Sequence, residues 1–279
     1  MRILEKDTHE IVYLAFTGYP LSQIAELKFL SEKGIRDLLI RVVKNFEKFE
    51  GLRINYESYV PEVVQVDEIY VKIQGEERFY AWLAYDPVNK FLIDFELGHR
   101  DQESLEKLFQ RLSKYRGKVK LCLIDGYRGF EDVIKKYFGK NGHMPTTGVL
   151  NKSRFIKKTN KFFTYGIFGK SRAAVEELIR HYGIGKEIST ALIERFNRDI
   201  RDRAAPMKRR THRLARLLSW IELFFRGIRF LHNYTKPHWA LSERSSKNWI
   251  CTPVTPGMHA GVCIKTLTIL EVLKTPISS

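Results

Sequence analysis

Three carboxylates stand out by their settings. Asp67 lies inside a β-branched run, Asp125 closes an apolar run, and Glu194 sits in an arginine-rich segment with helical spacing. Carboxylates brought together repel one another unless cations neutralise them. Hard oxygen donors without a Cys/His set suit Mg²⁺ or Mn²⁺ rather than zinc. A pair of such ions would clamp the attacking and leaving oxygens of an in-line displacement at phosphorus. The nucleophile would be water or a 3′-hydroxyl, and no Ser, Cys or His triad is needed or found. Taken singly, each residue reads better as structural than as catalytic: Asp125-Gly126 is a turn dipeptide, and a helical glutamate is usually solvated. Their conjunction in one basic chain points to a shared site.

The charge of the chain points the same way. Lys and Arg number 48 against 32 Asp and Glu, a net charge of +16, which implies a polyanionic partner, with nucleic acid ahead of an anionic membrane surface. Residues 1–60 are balanced, with 9 basic and 9 acidic side chains, so the excess lies beyond them. Between Leu150 and Ala173 there are seven basic residues, Lys157 and Lys158 among them, and no acidic one. From Arg195 to Arg216 nine basic residues stand against Asp199 and Asp202. Asn197, Arg198, Arg201, Lys208, Arg209, Arg210 and Arg213 are therefore expected to hold phosphates on either side of a scissile bond. As a run, Lys208-Arg209-Arg210 also reads as a merely solvated stretch.

Other classes are set aside. No apolar run approaches the roughly 18 residues of a membrane span, and the N-terminus lacks a signal peptide's apolar block. Cys122, Cys251 and Cys263 make no CxxC pair, and no phosphate-binding glycine loop is present. Hydrophobic residues make up 44%, enough to bury a core. The expectation is a soluble, cytoplasmic protein, associated with the nucleoid if prokaryotic.

The elements that must position the carboxylates follow from periodicity. Residues 9–16 and 21–27 read as short helices. A third starts after Ser31, a good N-cap, with Ile35, Leu38, Leu39, Val42, Val43 and Phe46 on one face. This layout fits a helix-turn-helix unit whose second helix starts with Glu32, Lys33 and Arg36, and it fits a plain three-helix bundle equally well. Residues 63–73, 78–85 and 90–97 read as an antiparallel meander. A helix over 101–115, a strand over 119–124 and a helix over 130–138 follow. That order makes a mixed α/β sheet in which the fourth strand docks parallel to the first, delivering Asp67 and Asp125 to one place. Residues 140–187 are less legible, with short strands near 147–150 and 162–168. A helix over 188–203 buries Ile193, Phe196 and Ile200, and its row of Thr190, Glu194, Asn197 and Arg201 lets Glu194 lean over the sheet. A second amphipathic helix covers 211–233. Glu68, next to Asp67 in a strand, is expected on the opposite face and outside the site.

Several blocks resemble those of the DDE-type insertion-sequence transposases. They are Val66-Asp67-Glu68-Ile69-Tyr70, Leu123-Ile124-Asp125-Gly126 and the run from Leu192 to Arg203, which begins Leu192-Ile193-Glu194-Arg195-Phe196-Asn197-Arg198. Arg210-Thr211, the segment from Phe230 to His238 and that from Thr252 to Gly261 also match. The resemblance spans about residue 63 to the C-terminus. It implies an RNase H-like catalytic core over 61–240, preceded by a helix-turn-helix-like region (1–58) and followed by a tail (241–279). It also implies a site of Asp67, Asp125 and Glu194 holding two Mg²⁺ or Mn²⁺ ions, and strand transfer of a mobile DNA element by a homo-oligomer on DNA. The interval from Asp125 to Glu194 is longer than in compact members, which implies an insertion within 140–187. Two alternatives stay open: a non-catalytic DNA-binding protein derived from a transposase, and a stand-alone RNase H-like nuclease.

Overall fold

In chain order, the helices α1 (Glu5–Thr17), α2 (Leu21–Lys28) and α3 (Glu32–Arg53) come first, followed by the strands β1 (Val63–Val71), β2 (Phe79–Asp86) and β3 (Phe91–His99). Then come α4 (Gln102–Leu112), β4 (Leu121–Asp125), α5 (Gly129–Tyr137), β5 (Thr146–Asn151), β6 (Phe163–Ile167), α6 (Arg172–His181) and α7 (Ala191–Arg203). The chain closes with α8 (Leu218–Phe230), a two-stranded pair (Glu243–Arg244 with Cys251–Thr252) and two short helices, α9 (Pro256–His259) and α10 (Ile269–Lys274). The structure, a computed structural model, describes residues 5–54, 56–142, 144–151, 163–204, 207, 217–244 and 251–274. Two units separate by their internal contacts. One comprises Val60–Val71 and Glu76–Arg198, and the other Met1–Tyr59, Lys72–Gly75 and Asp199–Ser279.

The first of these units is a mixed α/β layer structure. Its six strands run in the order β3-β2-β1-β4-β5-β6. β1, β2 and β3 pair antiparallel as a meander, β4 lies parallel to β1, β5 parallel to β4, and β6 turns back antiparallel at the edge. Both faces of the centre are buried, as parallel strands require. On one face Val63, Leu121 and Leu123 pack against Val175 and Ile179 of α6 and against Ile188. On the other, Trp82 meets Phe130 of α5 edge-on at 5.9 Å, and Phe130 meets Phe109 of α4 at 6.3 Å. This is the mixed sheet flanked by helices expected of an RNase H-like fold. α6 was not foreseen, although its signal is present in the sequence. Ser171 caps it by accepting from the Ala174 N–H, and Val175 and Ile179 bury at helical spacing.

The start of α7 is tied to β1 by one buried side chain. Gln65, 1% exposed, donates from Nε2 to the Ser189 carbonyl at 3.0 Å and accepts from the Ile193 N–H at 3.0 Å. The Ile193 N–H lies in the first helical turn, where no intrahelical acceptor is available. A strand glutamine thus caps a helix far away in sequence. Beside it Tyr85 of β2 stacks on Phe196 of α7 at 5.1 Å. The stripe expected from the sequence is present, with Ile193, Phe196 and Ile200 all buried.

In the other unit α3 is the long central helix, capped by Ser31 Oγ accepting from the Gly34 N–H at 3.1 Å. Ile35, Leu38, Leu39, Val42, Val43 and Phe46 are buried as expected, and Phe46 stacks on Phe230 at 4.1 Å. Glu50, 6% exposed, is buried with partners: Arg229 at 2.7 Å, the Tyr56 hydroxyl, and the Tyr234 hydroxyl at 3.2 Å. A buried carboxylate is tolerable only with such pairing. α2 and α3 are joined by a short turn in which Phe29 takes a left-handed conformation (φ 52°). Glu32, Lys33 and Arg36 at the start of α3 are exposed. Among the described residues no helix is long and apolar enough to cross a membrane.

Replacing Gln65 with leucine removes both bonds to the α7 segment and strands a buried N–H and a carbonyl. Urea denaturation should show a loss of roughly 1–3 kcal/mol, and wild-type stability in Gln65→Leu would refute the clamp.

Candidate active site

The parallel pairing of β1 with β4 sets the site. Val63, Val64 and Gln65 lie level with Leu121, Cys122 and Leu123. Two residues further along both strands, the same register brings Asp67 level with Asp125. One oxygen each from Asp67, Glu68 and Asp125 lies within 4.8 Å of the others, and all three side chains are partly buried.

Each carboxylate is held differently. Asp67 Oδ2 accepts from Asn197 Nδ2 at 2.8 Å. Asp125 Oδ1 accepts from the backbone N–H of Tyr127 at 3.0 Å, the turn bond its Asp-Gly dipeptide anticipates. Asp125 Oδ2 faces the Arg100 guanidinium at 3.2 Å, and the same nitrogen lies 2.9 Å from Glu68 Oε1. Glu68 Oε2 is buried and has no hydrogen-bond partner.

Glu68 therefore corrects the sequence reading. Its Cα does alternate to the face opposite Asp67, level with Trp82 of β2. Its carboxyl nevertheless joins the cluster. Burial and the neighbouring charges of Asp125 and Asp67 push its pKa up to about 7. Strand alternation dictates where a Cβ points, but a glutamate has further side-chain bonds with which its carboxyl can reach back, on the β4 side where the β1–β4 pairing has ended at Gln65.

Glu194 lies on the expected helix and is half-buried, yet it is not in the three-carboxylate group. Its Oε1 accepts from the Thr190 hydroxyl one turn earlier, at 2.9 Å. Asn197, one turn later on the same face, is the α7 residue that touches Asp67. Asn197 is fully buried, and its Oδ1 has no hydrogen-bond partner. It bonds to Asp67 rather than facing solvent. Arg198 is exposed and Arg201 partly exposed on the same helix. Lys157, Lys158, Lys208, Arg209, Arg210 and Arg213 lie outside the described residues. Arg100 gave no signal in the sequence, because it stands alone between β3 and α4 and meets the cluster only through the fold.

The donor set is chemically uniform: three carboxylates, no sulfur or imidazole, and one buried oxygen lacking a partner. Such a group fits a hard divalent cation.

The sheet thus sets Asp67, midway along β1, beside Asp125 at the C-terminal end of β4. Residues 62–152 match the model of a DDE domain, a stretch that runs from the start of β1 through β5 and contains Asp67, Glu68, Arg100 and Asp125. This supports the reading of the chain as a DDE-type insertion-sequence transposase, with DNA as the partner that family implies. The match covers about a third of the chain and stops before Glu194. No curated protein matches the chain.

The raised pKa of Glu68 carries a sign. The folded state holds this proton more tightly than the unfolded chain, whose glutamate titrates near 4.5. Stability without divalent ions is therefore highest below about 4.5 in this respect and falls as pH rises towards about 7. In chelator-treated protein Glu68→Gln should remove that fall, leaving the variant roughly 1–3 kcal/mol more stable than wild type at pH 8. Parallel wild-type and variant urea curves from pH 5 to 8 would refute the assignment.

Proposed function

We propose that the protein cleaves DNA at the ends of an insertion sequence and joins them to a target, with Asp67 and Asp125 as the central catalytic pair. The observation carrying this reading is the juxtaposition of Asp67, midway along β1, with Asp125 at the end of β4, within the stretch that matches a DDE domain.

Two Mg²⁺ or Mn²⁺ ions are the expected cofactors; when bound, they supply Lewis-acid stabilisation of the charge that develops at the phosphorus. The chain's own residues prepare the site. The Asn197 amide fixes one Asp67 oxygen, and the Tyr127 N–H fixes one Asp125 oxygen, so each carboxylate keeps a second oxygen in a set direction. Preorganised donors of this kind do not reorient during reaction. Glu194 is the expected third catalytic carboxylate, carried on α7 one turn from Asn197. Arg198 and Arg201, with Lys157, Lys158, Lys208, Arg209, Arg210 and Arg213 from the basic runs, would hold backbone phosphates, making affinity steeply salt-dependent. Residues 1–58 would recognise the element end through the α2–α3 pair. The working form would be a homo-oligomer joining two ends, in the cytoplasm and on the nucleoid if the cell is prokaryotic.

Asp67→Asn and Asp125→Asn should each lower Mg²⁺-dependent cleavage of an end-containing duplex on the order of a thousandfold, with binding to the same duplex retained in a gel shift. Glu194→Gln should fall with them. Wild-type cleavage in Asp67→Asn or Asp125→Asn would overturn the assignment of that residue, and cleavage without any joined product would favour a nuclease.

A further inference from the structure

The cluster contains its own cation. Three carboxylates meet where the end of β4 lies beside the middle of β1, and one guanidinium nitrogen of Arg100 sits between two of them, 2.9 Å from Glu68 Oε1 and 3.2 Å from Asp125 Oδ2. The position is built rather than incidental. The guanidinium carbon of Arg100 lies 5.2 Å from the centroid of the Tyr127 ring, an arrangement favourable for a cation over an aromatic face. Tyr127 is itself fixed, because its N–H is the donor to the other Asp125 oxygen. Arg100 leads directly into α4, whose N-cap is Asp101, so its backbone is anchored on both sides, by β3 and by a capped helix. Its side chain is 36% exposed, while those of Glu68 and Asp125 are 13% and 20% exposed. The arginine therefore covers the acidic pair from the solvent side.

We propose that Arg100 is a resident counter-cation of this cluster, competing with divalent ions for Asp125 and Glu68. The inference rests on the reading of these carboxylates as a cation site. Two consequences follow from electrostatics. Without divalent ions, Arg100 keeps the carboxylates together by offsetting part of their mutual repulsion. When divalent ions load, the same positive charge opposes them at short range, in a partly buried setting where screening by salt is weak. Arg100 thus sets the ion concentration at which the site fills, and it acts as a positioning residue rather than a catalytic one.

The test is a calorimetric titration of the full chain with MnCl₂ in the absence of DNA, so that binding is read without activity. Arg100→Gln and Arg100→Ala should each bind Mn²⁺ about tenfold more tightly than wild type. Arg100→Lys, which keeps the charge, should stay within about twofold of wild type. Lys107→Gln, which removes one charge from an exposed pair with Glu103 on α4, should leave affinity unchanged and so controls for net charge. Unchanged or weaker binding in both neutral variants overturns the inference while leaving the cation site standing. Tightening in Arg100→Lys equal to that in Arg100→Gln overturns it too, since charge would not be the cause. Absence of Mn²⁺ binding in wild type and neutral variants alike overturns both the inference and the cation-site reading beneath it.

Discussion

The parallel docking of β4 against β1 is the constraint on which the rest depends. Side chains on neighbouring parallel strands are held in register by backbone hydrogen bonds, and here two aspartates come together two residues beyond the last paired residues, Gln65 and Leu123. The sheet's backbone imposes a like-charge contact that the side chains alone would avoid. Everything around the strand ends answers that repulsion: an amide on one aspartate, a backbone N–H and a guanidinium on the other, and a neighbouring glutamate whose proton is held more tightly than usual. A site of this kind is expensive to maintain without cations, which is why a structural role alone is a poor account of it.

The same constraint explains why the first turn of α7 is secured so firmly. Asn197 can orient Asp67 only if α7 lies at a fixed height along β1. Two buried contacts set that height, the Gln65 clamp at the helix start and the Tyr85–Phe196 stack one turn on. Gln65 and Asp67 lie two residues apart on one face of β1, and Ile193 and Asn197 lie four apart on one face of α7. Strand and helix periodicities thus meet over one short contact line. Losing the polar clamp would leave the apolar stripe intact yet free the helix to slide, and the carboxylate geometry would loosen before the fold did.

Much of this architecture was legible in the sequence because burial writes itself as periodicity. The β-branched run of β1, the apolar run of β4 and the buried stripe of α7 each read correctly as elements, and Asp67 and Asp125 lie together where β1 and β4 meet. What was not legible depends on distances between elements. Nothing local to Arg100 marks it, since its partners lie on β1 and at the end of β4. Glu68 was misjudged because alternation describes Cβ directions in a paired strand, whereas its carboxyl sits where the β1–β4 pairing has ended. α6 went unread although Ser171, Val175 and Ile179 carry an ordinary capped, amphipathic pattern; the glycines, lysines and aromatics on its N-terminal side masked its start.

Glu194 shows most clearly where sequence reasoning stops. Helical spacing put it in one row with Thr190 and Asn197, and in the structure it bonds to Thr190. One helical turn is about 5.4 Å along the axis, and that turn separates the residue touching Asp67 from the one bonded to Thr190. On the proposed function this placement has a physical rationale. A fourth carboxylate in the cluster would add repulsion that Arg100, with one charge, could not offset. Held by the Thr190 hydroxyl at 2.9 Å, Glu194 keeps a hydrogen bond while lying outside the group.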